Sequence, residues 1–211
     1  DENLLLSSGT ASGKTEAALL PVLTQLWENP SASVGVLYLS PLKALINDQF
    51  ERLEGLLEEA AIPVTKWHGD ASAAAKKRVM KRPQGIIQTT PESLESMLMH
   101  NSSGAYRLFS DLRFIIIDEM HYFMDNDRGL QLLCLLERLA RLIGYHPRRI
   151  GLSVTLGDCT SAVQWLNTDS GRNCIVPKCH EKGRSLRLSV RFFPIKEKIP
   201  NSDSKVLLQN Y

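Results

Sequence analysis

The sequence predicts an α/β fold built on a mostly parallel central sheet with helices on both faces. Three observations predict it. Short β-branched or leucine-rich runs alternate with longer amphipathic stretches along the chain. Several of the short runs are almost wholly apolar, as strands covered on both faces must be. The first run also passes through a small-residue loop straight into a helical pattern, the connection that α/β units use repeatedly. At 211 residues the chain has room for one sizeable domain and a tail.

Asn3 to Ser7 reads as the first strand, followed by a helix over Lys14 to Trp27. The next pairs are Val34 to Leu39 with Leu42 to Ala60, and Pro63 to Trp67 with Ser72 to Lys81, where Ser72 suits an N-cap. Gly85 to Thr89 precedes a helix over Pro91 to Met99, with proline at its favoured first position. Arg113 to Ile117 pairs with Gly129 to Ile143, and Arg149 to Ser153 with Thr160 to Leu166. Beyond Asn167 the pattern weakens to a polar loop, one more strand candidate (Leu186 to Phe193) and a polar stretch from Lys196 to Lys205. These features place a domain at 1–195 and a linker at 196–211. No internal repeat is present.

With 43% hydrophobic and 23% charged residues, the composition is that of a soluble globular protein and excludes disordered and fibrous classes. No apolar run is long enough to cross a bilayer and no secretory leader precedes the first strand, so a cytoplasmic address without a membrane partner is expected. A net charge of +2 is too small to indicate a nucleic-acid partner by itself. Two local features remain: the cluster Lys76, Lys77, Arg78, Lys81 and Arg82, and the basic segment from Lys178 to Lys198. Each is equally consistent with a solvated surface. Cys134, Cys159, Cys174 and Cys179 contain no C-x-x-C pair. A metal site from Cys174, Cys179 and His180 would need further ligands, so reduced thiols are the simpler reading.

The loop after the first strand reads Ser8-Gly9-Thr10-Ala11-Ser12-Gly13-Lys14-Thr15, followed by Glu16 in the helix. It matches a Walker A loop in its required strand–loop–helix setting, except that Ser8 takes the place of the first glycine. Small residues let successive backbone N–H groups face the phosphates of a nucleotide. Lys14 supplies a cation for those phosphates, Thr15 a hydroxyl for Mg²⁺, and the helix N-terminus its positive end. Ser8 through Glu16 are therefore the candidate ATP-binding residues.

About a hundred residues later, Ile115-Ile116-Ile117 runs into Asp118-Glu119-Met120-His121. Ligands of open α/β sheets bind at the carboxyl ends of strands, where these two carboxylates fall. Asp118 is suited to hold Mg²⁺ through water, and Glu119 to polarise the water attacking the γ-phosphate. Lys14, Asp118 and Glu119 form the candidate catalytic set. Here the chain resembles superfamily 2 helicases of the DEAD/DEAH type, whose second motif reads D-E-x-D or D-E-x-H.

The resemblance extends along most of the chain. Ser40-Pro41-Leu42-Lys43-Ala44-Leu45 is similar to motif Ia, Thr89-Thr90-Pro91-Glu92-Ser93-Leu94 to motif Ib, and Gly151-Leu152-Ser153-Val154-Thr155 to motif III. His68-Gly69-Asp70 stands where the family has a glycine motif. The forms of the first motif, Ia and Ib resemble the Lhr-like group most, and motif III departs from its usual form at Val154. The resemblance implies a RecA-like P-loop NTPase domain. It implies nucleic-acid backbone contacts from Pro41, Lys43, Gly69, Thr90, Pro91 and Glu92, with a hydroxyl on Thr90 and a helix N-terminus to meet phosphate. It assigns hydrogen-bond coupling to His121, Ser153 and Thr155.

The implied partners are a single strand of nucleic acid, DNA ahead of RNA, and a second RecA-like domain in the same polypeptide. That domain would carry the arginine finger, and an upstream segment would recognise adenine, so 1–211 alone is expected to hydrolyse ATP very slowly and to unwind nothing. The resemblance implies 3′ to 5′ travel. A double-strand translocase uses the same ATPase without strand separation, whereas a nucleotide switch, a small-molecule kinase or a degenerate scaffold leaves part of this motif set unused.

Overall fold

The computed structural model describes residues 2–9, 12–58, 61–154, 156 and 159–177. Among them are seven strands: β1 (Asn3–Ser7), β2 (Val36–Leu39), β3 (Val64–Trp67), β4 (Ile86–Thr89), β5 (Phe114–Ile117), β6 (Arg148–Ser153) and β7 (Cys174–Ile175). Seven α-helices accompany them: α1 (Lys14–Glu28), α2 (Lys43–Glu58), α3 (Ala73–Lys81), α4 (Pro91–His100), α5 (Ser102–Phe109), α6 (Asp127–Ile143) and α7 (Thr160–Asn167). A 3-10 turn spans Met120–Tyr122. The strands form one sheet in the order β3-β4-β2-β5-β6-β1-β7, with every pairing parallel.

The period-two alternation of each strand sorts its side chains between two cores. Leu37, Leu39, Ile115 and Ile117 face the core that α4, α5, α6 and α7 cover. Val36, Tyr38, Phe114, Ile116, Ile150 and Leu152 face the core built with Ala18, Leu19, Val22 and Leu26 of α1 and Leu57 of α2. β2, β4 and β5 are buried at every position, which is why their sequences are nearly continuous apolar runs.

Among the described residues the predicted strands and helices form, with ends shifted by at most two residues. Ser72 caps α3 by accepting from the Ala75 N–H, and Pro91 opens α4. Three elements escaped the sequence reading. Helix α5 begins inside Asn101-Ser102-Ser103-Gly104, which reads as a loop but works as a start signal, the Asn101 side chain accepting from the Gly104 N–H at 3.1 Å. Ala105, Leu108 and Phe109 then bury at helical spacing. The 3-10 turn and two-residue β7 are too short to carry a period. The strand candidate Leu186 to Phe193, the linker at 196–211, Cys179 and His180 lie outside the described residues.

Chain order and sheet order differ. The chain leaves β1, crosses past two sheet positions to β2, goes on to β3 at the sheet edge, steps back to β4 between β3 and β2, and returns to insert β5 and β6 between β2 and β1. The loops that follow the strands line up along one edge in the order β3, β4, β2, β5, β6, β1.

Helix α6 packs unusually close to the loop after β5. A Cβ built on buried Gly129 would lie 1.6 Å from the Phe123 carbonyl oxygen and 2.7 Å from its carbon, both backbone atoms that cannot swing away. Gly129→Ala is expected to destabilise the chain by about 1–3 kcal/mol through overpacking. Urea unfolding reads this as a lower midpoint at unchanged slope, and a midpoint equal to the parent's would disprove the close approach.

Candidate functional site

The loop after β1 folds on itself. The Lys14 ammonium donates to the Ser8 carbonyl at 2.6 Å and the Gly9 carbonyl at 2.7 Å, while the Ser8 and Ser12 hydroxyls lie 2.6 Å apart. Gly13 turns the chain into α1 at φ 83°, a left-handed conformation that glycine adopts without a steric penalty. Thr15 is buried at the start of α1 and Glu16 stands in its first turn. Thr10 and Ala11 lie outside the described residues.

Asp118 leaves the end of β5 and is fixed from three directions. Its backbone N–H donates to the Leu39 carbonyl at 2.8 Å, drawing it to the neighbouring strand β2. One carboxylate oxygen accepts from the buried Tyr38 hydroxyl at 2.8 Å, the other from the Glu119 N–H at 2.9 Å. Burial raises the Asp118 carboxyl above its ordinary pKa; the Tyr38 hydrogen bond opposes this, the Glu119 charge adds to it, and Lys14 opposes it. Burial and then the Asp118 charge push the Tyr38 phenol well above its usual range, so it remains a proton donor to Asp118. Tyr38 was missed by the sequence reading: within an apolar strand it looks like one more core residue, and its alternation with Leu37 and Leu39 says nothing of what its hydroxyl meets.

Glu119 sits at φ 46°, ψ 47°, a left-handed conformation that costs a non-glycine residue about 1–2 kcal/mol. The Glu119 carboxylate lies 3.3 Å from His121 Nδ1, close enough for charge attraction if the imidazole is protonated, and the His121 ring stacks at 4.5 Å against the exposed Tyr122.

The loop after β6 is tied to the loop after β1. The Ser7 hydroxyl donates to the Val154 carbonyl and accepts from the Leu156 N–H, each at 3.0 Å, and Ser8 N–H reaches the Ser153 carbonyl at 3.4 Å. Ser153 is fully buried, with its hydroxyl unpaired among the described residues. Thr155 lies outside them. Ser7 therefore joins the first and third motifs, a role that a strand-terminal serine does not advertise.

The ends of β2, β3 and β4 form a groove of about 540 Å³ lined by Pro41, Lys43, Gly69, Thr90 and Glu92. Five of the six predicted nucleic-acid contacts thus converge, although they come from three separate loops. Pro91 does not join them: its ring is buried in α4, and proline has no N–H to offer a phosphate. Several groove side chains are already engaged. Lys43 pairs with Asp70 at 3.0 Å across a well-exposed surface, and the Thr90 hydroxyl caps α4 by accepting from the Ser93 N–H at 3.4 Å. The Glu92 carboxylate pairs with Arg128 at 2.7 Å. Of the basic cluster, Lys76 alone lines the groove, its ammonium bonded to the His68 carbonyl and 5.9 Å from the Trp67 ring centre.

Thr15, at the start of α1, and Asp118, at the end of β5, offer hard oxygen donors at the same sheet edge, a set that suits Mg²⁺ completed by phosphate and water. Among the described residues no three His, Cys, Asp or Glu side chains converge as a protein-only metal site. Among the described residues no helix is long and apolar enough to cross a membrane.

Comparison with known proteins followed this geometry. The model of the DEAD/DEAH box helicase family matches residues 1–162. The ATP-dependent helicase Lhr-Core of Methanocaldococcus jannaschii is 35% identical over 192 residues, covering 83% of this chain and 22% of that protein. Among solved structures, the Mycobacterium smegmatis helicase Lhr bound to ssDNA and AMP-PNP superposes with a TM-score of 0.70 at 31% identity, over 84% of this chain and 24% of that one. The helicase MrfA bound to DNA gives 0.72 at 29% identity, over 83% and 25%. The DEAD-box helicase Mss116 bound to ssRNA shares the fold, with a TM-score of 0.67 at 21% identity, over 83% of this chain and 36% of that one. The chain spans about a quarter or less of most of these relatives.

Since the folded-state pKa of Asp118 lies above the unfolded one, the ionised carboxylate costs no stability below the ordinary aspartate range and its full penalty above the raised value. Asp118→Asn is therefore expected to raise the unfolding temperature near neutral pH when nucleotide and divalent cations are left out. The gain should fade on acidification. A lowered melting temperature at neutral pH would contradict this account of the site.

Proposed function

Because the chain belongs to the DEAD/DEAH box helicase family, we propose that it is the ATP-binding RecA-like domain of a superfamily 2 nucleic-acid helicase and works with a second such domain of the same polypeptide. The observation that carries the proposal is the order of loops along the sheet edge. The glycine motif, Ib and Ia form one half, motifs III and I the other, and motif II lies between them. A site that only binds or phosphorylates a small molecule has no use for the first half.

In this reading the amides of the loop from Ser8 to Thr15 receive the β- and γ-phosphates, with Lys14 turning from the Ser8 and Gly9 carbonyls toward them. Mg²⁺, held by the Thr15 hydroxyl and through water by Asp118, supplies charge neutralisation at the phosphates. Glu119 orients and polarises the attacking water. His121, Ser153 and Thr155 carry the change at the γ-phosphate to neighbouring loops. Pro41, Lys43, Gly69 and Thr90 face the sugar-phosphate backbone, so binding is expected to be sequence-independent and salt-sensitive. Loss of the exposed Lys43–Asp70 pair on binding costs little, because exposed ion pairs contribute about 0–1 kcal/mol. A single strand is the proposed partner, DNA ahead of RNA, with Lhr bound to ssDNA as the supporting likeness. The alternative is a double-strand translocase, which the same half-motor would serve.

In the intact polypeptide, ATP turnover is expected to rise strongly with single-stranded DNA or RNA and to fall at least about 100-fold in Glu119→Gln. A steady-state assay with single strands and duplex separates the readings. Stimulation by duplex alone favours the translocase, and indifference to every nucleic acid sinks the proposal.

Tyr38→Phe keeps the buried ring and deletes the donor to Asp118. Loss of an outer-shell partner of this type is expected to raise the Mg²⁺ concentration needed for tight binding of a fluorescent ATP analogue by roughly tenfold. An unchanged Mg²⁺ requirement would mean that the hydroxyl does not position Asp118.

A further inference from the structure

Arg128 lies in the first turn of α6, outside every segment that the sequence singled out. Its Nε donates to Glu92 Oε1 at 2.9 Å, and its Nη2 lies 2.7 Å from that oxygen. The same Nη2 donates to the Pro41 carbonyl at 2.5 Å, and the guanidinium carbon stands 5.4 Å from the Phe123 ring centre. One planar group therefore connects the loop after β2, the first turn of α4 and the loop after β5. Arginine's fork can serve two acceptors at once, which a lysine ammonium on a flexible stem does less rigidly.

The charge arithmetic of the groove gives this connection a purpose. Glu92 lines the groove and its side chain is half exposed. Burial works to raise the Glu92 carboxyl, but its own backbone N–H, Thr90 and Arg128 outweigh it and hold the pKa below the ordinary glutamate value. A carboxylate so held is ionised at neutral pH. Unpaired, it would repel a phosphodiester lying in the groove, and partial screening by water would weaken that repulsion without abolishing it.

We propose that Arg128 is a positioning residue for nucleic-acid binding: it neutralises Glu92, so that the groove tolerates a phosphate backbone. The inference rests on the nucleic-acid reading of this groove.

The test is fluorescence anisotropy of a labelled single-stranded oligothymidylate with the intact polypeptide, nucleotide omitted, for the parent, Arg128→Ala, Arg128→Lys, Glu92→Gln and the Arg128→Ala/Glu92→Gln double variant. Arg128→Ala is expected to weaken binding about tenfold, whereas the double variant, with no bare carboxylate, returns to within about threefold of the parent. Arg128→Lys keeps a positive charge to offset Glu92, so it is also expected to stay within about threefold, and it keeps the test usable should the alanine variant fold poorly. If the parent binds and Arg128→Ala binds equally well, the proposal fails. It also fails if Glu92→Gln does not rescue Arg128→Ala, or if lysine is as poor as alanine. If the parent itself binds no oligonucleotide, the underlying reading of the groove falls and the inference falls with it.

Discussion

Parallel pairing makes every strand of the sheet release the chain at the same edge. The candidate site depends on that constraint more than on any side chain. Six loops spread over about 150 residues of sequence, from Ser8 to Val154, become neighbours because β1 to β6 all point the same way. The crossover from β1 to β2 then leaves room for β5 and β6, which places the acidic loop after β5 beside the loop after β2 on one side and that after β6 on the other. The hydrophobic alternation that puts Leu37 and Leu39 in one core and Val36 and Tyr38 in the other fixes which side chains reach this edge.

The edge is built at some expense to stability. Asp118 holds a nearly buried carboxyl, Glu119 takes a left-handed backbone, and Ser153 buries a hydroxyl unpaired among the described residues. Each is the type of local cost that a fold tolerates when its surroundings leave no alternative. The surroundings here are the two apolar cores, which hold β2 and β5 in register. Glu119 has no freedom to relax without pulling Asp118 from the Leu39 carbonyl and the Tyr38 hydroxyl.

Strand and helix positions were readable in the sequence because they follow from apolar period and from local signals such as Ser72 and Pro91, which act within a few residues. The candidate triplet Lys14, Asp118 and Glu119 could be named from the sequence because phosphate chemistry demands those residue types at strand ends. Tyr38, Ser7 and Arg128 were not. Each acts through a partner distant in the chain, Asp118, Val154 and Glu92 respectively, and nothing in its own neighbourhood marks the pairing. Helix α5 was lost for a local reason, since Asn-Ser-Ser-Gly signals a turn and a helix start equally well. Pro91 shows the converse: the motif identified the helix N-terminus, but the residue that opens it has no N–H for a phosphate and does not line the groove.

The end of β2 is where the two halves of the edge meet. Tyr38 donates to Asp118 and the Leu39 carbonyl accepts from the Asp118 N–H, so this strand holds the acidic loop. Two residues on, the Pro41 carbonyl accepts from Arg128, and Lys43 reaches Asp70 beyond it. The acidic loop and the groove are thus joined through covalently continuous backbone, without any long chain of side chains between them. Arg128 lies on the return path, since it follows the acidic loop in sequence and contacts Phe123 within it. Motif II and the groove are therefore joined twice, through β2 and through Arg128, and a closed mechanical loop of this kind resists movement of one part without the others. The link between the acidic loop and the groove is a property of the strand order first and of individual side chains second.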